Sequence, residues 1–229
     1  MTPNELTSIF KKTCDKWKND VEINDEIFSE FSKIVDSIEP LKKHEINIHI
    51  NKLGYGEKPF WFLWHLLVNE MSQRFKFLEI GVYKGSVLSL IQLNSDLLGK
   101  TPEIVGLTPL STAGDKYLQH YDNAPFLECI GWSFDINKLS LDNTSIINGL
   151  STDKEVQAVA KQSSPFDIVY IDGCHDYEVV MQDLEFVDTL LNVGSFMVMD
   201  DASSHLNFKL GLIGFSGHED VAKAIDTSP

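Results

Sequence analysis

The stretch FKFLEIGVYKG, residues 75–85, decides how this chain is read. Phe75, Phe77, Leu78 and Ile80 make a short apolar strand. Glu79 interrupts it one residue before its end, and Gly81 and Gly85 bracket the turn that follows. Val87, Leu90, Ile91 and Leu98 then recur at helical spacing. The same order of strand, turn and helix returns downstream. EIVGL (103–107) predicts a second strand and TSIIN (144–148) a third. FDIVYID (166–172) is a nearly unbroken apolar run ending in an acid, as a strand buried on both faces requires. Asp176 then opens a helix marked by Tyr177, Val180, Met181, Leu184, Val187, Leu190 and Leu191, with Gly194 just beyond it. SFMVMDD (195–201) is a fifth strand that ends in acids. Strands alternating with helices in this way imply an α/β domain built on a doubly wound, mostly parallel sheet. Residues 108–143 exceed a simple crossover and predict a helix with irregular flanks.

Upstream of that stretch the pattern is helical, so residues 1–74 read as a helical extension and 75–229 as the sheet domain. Thr2-Pro3 starts a helix carrying Leu6, Ile9, Phe10 and Trp17. A second stripe, Ile27, Phe28, Phe31, Ile34, Val35 and Ile38, stops before Pro40. The connector LGYGEKP (53–59) leads to a helix over Phe60–Gln73, whose Phe60, Trp61, Phe62 and Trp64 pack it onto the next layer.

Composition narrows the function. The 229 residues suit one large α/β domain. With 34 acidic against 19 basic residues the chain carries a formal charge of −15, and it has a single arginine, Arg74. Neither a nucleic acid nor an anionic membrane is an expected partner of such a chain. A cationic ligand, or a metal held by carboxylates, is compatible with it. Cys14, Cys129 and Cys174 form no paired spacing, which suits a reducing compartment. The N-terminus has no apolar signal segment, so a cytoplasmic location is expected.

In open α/β sheets ligands bind beyond the carboxyl ends of the strands, where the strand order reverses. After the first strand this chain offers Glu79-Ile80-Gly81-Val82-Tyr83-Lys84-Gly85, an E-x-G-x-x-x-G pattern. It is not the G-x-G-x-x-G of dinucleotide sites. An acid there repels a pyrophosphate and suits a ligand with an ammonium group. After the fourth strand comes Asp172-Gly173-Cys174-His175-Asp176-Tyr177, then Asp183, and after the fifth Asp200-Asp201. Strands four and five should be neighbours, which brings Asp172, Asp200 and Asp201 to one edge. Carboxylates about 4–5 Å apart repel by roughly 3–4 kcal/mol per pair at an effective dielectric of ~20. Such a set binds a cation or keeps a proton, and all-oxygen ligation suits Mg²⁺ or a similar divalent ion. Taken singly, Asp172 also reads as a turn cap with Gly173, Asp201 as a cap of the next segment, and Asp183 as a solvated or salt-bridged helix residue.

The E-x-G-x-x-x-G pattern resembles motif I of the class I S-adenosylmethionine-dependent methyltransferases. The D-G-x-H-x-Y…D…D-D succession resembles the subgroup of macrolide- and aminocoumarin-sugar O-methyltransferases. The resemblance covers roughly residues 75–226. It implies a Rossmann-like methyltransferase fold and metal assistance through Asp172, Asp200 and Asp201. It implies His175 as general base, with His205 as the competing residue, and a methyl acceptor that is a sugar or other polyol hydroxyl. By the same resemblance Glu79, Gly81 and Gly85 hold the methionine moiety of S-adenosylmethionine, with Val82 and Tyr83 beside them. The family's ribose-binding acid is replaced by Thr108, which shifts part of that task to Asp115; Ser151 stands at the adenine position. The family's sheet usually closes with a C-terminal antiparallel strand pair, for which the residues after a helix at Glu219–Ile225 are too few. A truncated domain is therefore expected, with GLIG (211–214) a poor substitute. The resemblance leaves a homo-oligomer open. It also leaves open a non-catalytic S-adenosylmethionine-binding subunit and a metal-dependent hydrolase on the same scaffold.

Overall fold

The computed structural model describes residues 1–16, 21–111, 124–203 and 217–228. Five strands form one sheet: β1 (Arg74–Ile80), β2 (Thr101–Thr108), β3 (Thr144–Asn148), β4 (Phe166–Ile171) and β5 (Leu191–Met199). Their order is β3-β2-β1-β4-β5, and every pair is parallel. The expected doubly wound sheet is therefore present, with its order reversing between β1 and β4.

Alternation along the central strands explains why both faces are covered. Phe77, Ile104, Ile168 and Tyr170 point to one apolar cluster, while Leu78, Val105, Val169 and Ile171 point to another. The first cluster lies under α4 (Pro59–Glu70) and α5 (Ser86–Leu98), and the second under α8 (Tyr177–Asp188) and α9 (Glu219–Thr227). Helices α1 (Pro3–Lys16) and α2 (Val21–Ser37) pack against α4. Their Leu6, Phe31 and Val35 share the first cluster with Phe77 and Ile168, so the N-terminal helices and the sheet have one continuous core. Trp61, Phe62 and Trp64 of α4 are buried in it, as expected of packing aromatics.

Three local expectations need correction. The helical extension contains one more helix than its apolar stripes mark, α3 (Glu39–Ile50), which buries only Leu41, His44 and Ile48. Helix α8 ends at Asp188 and β5 begins at Leu191, so Leu190 and Leu191 do not extend the helix. Strand β5 reaches its paired register late. Leu191 pairs with Phe166, and a shift then brings Phe196 opposite Ile168. Gly194, at φ 95°, lies within that shift. The long crossover contains α6 (Phe126–Asp135), and α7 (Lys154–Ser163) joins β3 to β4. The GLIG segment expected at 211–214 lies outside the described residues. Among those residues, no helix is long and apolar enough to cross a membrane.

Candidate functional site

The ends of β1, β4 and β5 are level. Ile80 pairs with Ile171, and Ile171 with Met199. The ladder continues one step further, with Gly81 N donating to Leu107 O, Asp172 N to Ile80 O, and Asp200 N to Ile171 O. Gly81, Asp172 and Asp200 thus form one row across the switch point.

Glu79 sits two residues inside that row, between Gly106 and Tyr170 in register. It is only 3% exposed, and its Oε2 is buried with no hydrogen-bond partner. Burial, and then the charge of Asp200, push its carboxyl up to about 8. A buried acid without a partner is expensive unless a ligand supplies the donor. The adjoining turn leaves backbone open to such a ligand. Gly81 has φ 96°, and a Cβ there would fall 2.1 Å from Asp172 O, so only glycine fits. Gly85, at φ 84°, caps α5, and Ser133 Oγ donates to its carbonyl at 2.9 Å.

The rest of the turn is held from below and from the side. Val82 is buried. Thr108, at the end of β2, is 2% exposed; its Oγ1 donates to Val82 O at 2.9 Å and accepts from Leu110 N at 3.1 Å. Its only donor is spent inside the chain, so Thr108 fixes the turn and does not offer that proton to a ribose. Tyr83 stacks on Tyr55 from the loop between α3 and α4, with ring centroids 5.5 Å apart. Lys84 Nζ stands 4.6 Å from the Tyr83 ring centroid and reaches Lys52 O in the same loop. Tyr55 was not singled out from sequence; the glycines flanking it in LGYGEKP were the available signal. Asp115 and His205 lie outside the described residues. Ser151 is half-buried beyond β3, and its carbonyl accepts from Gln157 Nε2. Asp183, expected on a solvated face, is 1% exposed, and burial pushes its carboxyl up to about 6.

The acids at the other end of the row divide into two groups. Tyr170 is buried in β4 against Trp64, with ring centroids 5.2 Å apart, and against Phe60. Its hydroxyl donates to Asp200 Oδ2 and faces Asp172 Oδ2 at 3.2 Å. Burial first, then the neighbouring charges of Asp200, Glu79 and Asp201, hold Asp172 well above the ordinary carboxylate range. Asp200 is also raised, chiefly by burial. Asp201 turns elsewhere. Its backbone lies at φ 55°, and its Oδ2 is 3.0 Å from His175 Nε2 and 3.6 Å from His218 Nε2.

The sequence reading expected Asp172, Asp200 and Asp201 to converge on one cation. Among the described residues, the three ligand atoms that lie within 4.8 Å of one another belong instead to His175, Asp201 and His218. Asp172 and Asp200 are gathered by the Tyr170 hydroxyl outside that group. Two imidazoles and one carboxylate are not the all-oxygen set that suits Mg²⁺. His218 was missed because nothing in the sequence links it to Asp201; the contact arises when the chain returns after 204–216.

A family model described as a methyltransferase domain matches residues 78–202. Protein R132 of Acanthamoeba polyphaga mimivirus, which is uncharacterised, is 25% identical over 150 residues. That alignment takes in 63% of this chain, and the chain spans 61% of the viral protein's length. Among solved structures, cofactor-bound Rv0187 from MTB matches with a TM-score of 0.55 and 18% identity, over 85% of this chain and 80% of that one. The likeness is one of fold.

Proposed function

Because the chain belongs to the methyltransferase-domain family, we propose that it transfers a methyl group from S-adenosylmethionine to a hydroxyl of a sugar or other polyol small molecule. One observation carries the cofactor half of this reading. Glu79 is a buried carboxylate with an orphaned oxygen, two residues before a glycine turn at the switch point of the sheet. The methionine moiety offers an ammonium group that satisfies this oxygen. It has no phosphate for the acid to repel.

When bound, S-adenosylmethionine supplies an electrophilic methyl group on a sulfonium. The chain's own residues do the rest. Glu79 binds the ammonium, and the backbone of Gly81, Val82 and Tyr83 walls the amino-acid end. Gly85 opens α5 close to the turn. Ser151, beyond β3, lies toward the adenine. The acceptor hydroxyl belongs at the polar edge made by Asp172, Asp200 and His175. His175 takes the proton as the new C–O bond forms, and Asp201, 3.0 Å from its Nε2, stabilises the imidazolium that results. Orientation matters as much as basicity here. A hydroxyl fixed in line with the methyl group turns an encounter of two molecules into a reaction within one complex. The sugar or polyol class of acceptor rests on the order of the D-G-x-H-x-Y and D-D motifs. A divalent cation assisting at this edge stays part of the proposal, since the Tyr170 hydroxyl engages a single oxygen of Asp172 and of Asp200.

Calorimetric titration of the full chain with S-adenosylhomocysteine tests the cofactor half, with one-to-one binding expected. Transfer of labelled methyl from S-adenosylmethionine to a panel of sugars and polyols tests the acceptor half. Binding without transfer to any hydroxyl would favour a non-catalytic subunit and refute the enzyme. Absence of binding would refute the proposal as a whole.

A further inference from the structure

Two imidazoles meeting one carboxylate is a donor set in its own right. We propose that His175, Asp201 and His218 form a site for a borderline divalent transition-metal ion such as Zn²⁺, and that the bound ion withdraws His175 from proton acceptance. The second clause rests on the reading of His175 as the base; the first does not.

The geometry suits an ion of that class. Zinc takes nitrogen donors at about 2.0–2.1 Å and carboxylate oxygen at about 2.0–2.2 Å. Donors at those lengths around a tetrahedral ion stand roughly 3.3–3.6 Å from one another. Asp201 Oδ2 lies 3.0 Å from one imidazole nitrogen and 3.6 Å from the other, so small side-chain rotations admit the ion. The two rings lie with centroids 4.2 Å apart at 44°, both turned to the same oxygen. The three side chains are 14%, 19% and 21% exposed, which shelters the site yet leaves a route in. Imidazole favours zinc, cobalt or copper over the hard ions that oxygen ligands select. Three protein donors leave a fourth position open for water or a small ligand.

The backbone builds the meeting point. His218 N donates to Asp201 O at 2.9 Å, so the chain leaves β5 at Asp201 and returns to the same residue. Gly217 makes the closure possible, since a Cβ there would fall 2.1 Å from Asp201 O. His218 occupies the N-cap position of α9, but its side chain makes no capping bond to the helix. It points to Asp201 instead. The helix thereby fixes one imidazole and the turn between β4 and α8 carries the other, with Asp201 between them.

The consequence for the proposed reaction follows from the imidazole itself. With Nε2 facing Asp201, the lone pair that accepts a proton is on Nδ1; a ring ligated to a metal ion through Nε2 carries its one proton on Nδ1 and has no lone pair left to accept another. Ion and proton are alternatives at this residue, so zinc should inhibit.

The test is calorimetry of the full chain with ZnCl₂, paired with the absorption spectrum of the Co²⁺-loaded protein as a report on imidazole ligation. One-to-one binding is expected, weakened at least tenfold in His218→Gln and in Asp201→Asn, and unchanged in Cys174→Ser and Cys14→Ser. A thermal-shift series gives a second readout: Zn²⁺ should raise the midpoint of the parent protein and not that of His218→Asn. Absence of binding, binding that survives His218→Gln, or binding lost in Cys174→Ser would overturn the site. Methyl transfer is then followed as zinc occupancy rises, and it should fall in proportion. Full zinc occupancy with undiminished transfer would overturn the role of His175 as base while leaving the metal site standing.

Discussion

Replacing Glu79 with glutamine separates the cost of this residue from its use. In the ligand-free protein the carboxyl is raised from an ordinary 4.5 to about 8, chiefly by burial. At 1.36 kcal/mol per pH unit, holding it ionised costs the folded state on the order of 5 kcal/mol. Because the folded value lies above the unfolded one, the native state holds a proton that the unfolded chain releases. Stability from this group is therefore complete below about pH 4.5 and is lost as the pH rises through 8. Glu79→Gln removes the dependence, so the variant should be the more stable protein above pH 8 and nearly equal to the parent at pH 5. Binding should move the other way. A charge-assisted bond to an ammonium is worth about 1.5–3 kcal/mol, so S-adenosylhomocysteine should bind Glu79→Gln roughly ten- to 150-fold more weakly. The parent must surrender the Glu79 proton to bind, which makes its affinity rise by up to about tenfold per pH unit between pH 6 and 8. The variant should show no such slope. Calorimetry in two buffers of different ionisation enthalpy measures both the affinity and the protons released. Equal affinity in the two proteins, or the same pH slope in both, would refute Glu79 as the ammonium's partner.

Four further substitutions, one of them a control in α6, probe the site. Gly81→Ala forces a methyl group onto Asp172 O and should cost more than about 3 kcal/mol in a urea titration. Gly131→Ala, in α6 with nothing within 4 Å of the added methyl, should gain about 0.5–1 kcal/mol; a similar loss at both positions would show that the close approach at Gly81 is not the cause. His175→Ala should lower kcat of methyl transfer by about 10²–10⁴ with little change in S-adenosylhomocysteine affinity, and unchanged turnover would remove it from the chemistry. Tyr170→Phe takes the shared donor from Asp172 and Asp200 and should destabilise the fold by about 1–3 kcal/mol; an unchanged urea midpoint would show that the hydroxyl adds nothing.

What could be read from sequence, and what could not, follows the range of the forces involved. The five strands were legible because each is a short apolar run between breakers, and TSIIN was placed to the residue. Helix α3 was not, because Lys42, Lys43 and Glu45 surround its three buried positions and one of those three is a histidine. At the site, Glu79 and its glycines were legible as a local pattern. The row of acids was legible as strand ends. The direction in which each acid points was not. The Tyr170 hydroxyl that gathers Asp172 and Asp200 ends a side chain read as core, and its partner Asp200 is thirty residues away. The contact of His218 with Asp201 depends on a return of the chain that no spacing rule anticipates. Thr108 looked available to a ligand because its type is polar, yet its proton is already given to Val82 O.

The central claim, a methyltransferase whose cofactor is anchored at Glu79, is tested most directly by a crystal structure of this chain with S-adenosylhomocysteine. The amino group of the ligand is expected against the Glu79 carboxylate, with its amino-acid end along Gly81 and Val82. A ligand bound with that amino group elsewhere, or no ligand at the Gly81 turn under saturating conditions, would contradict the claim.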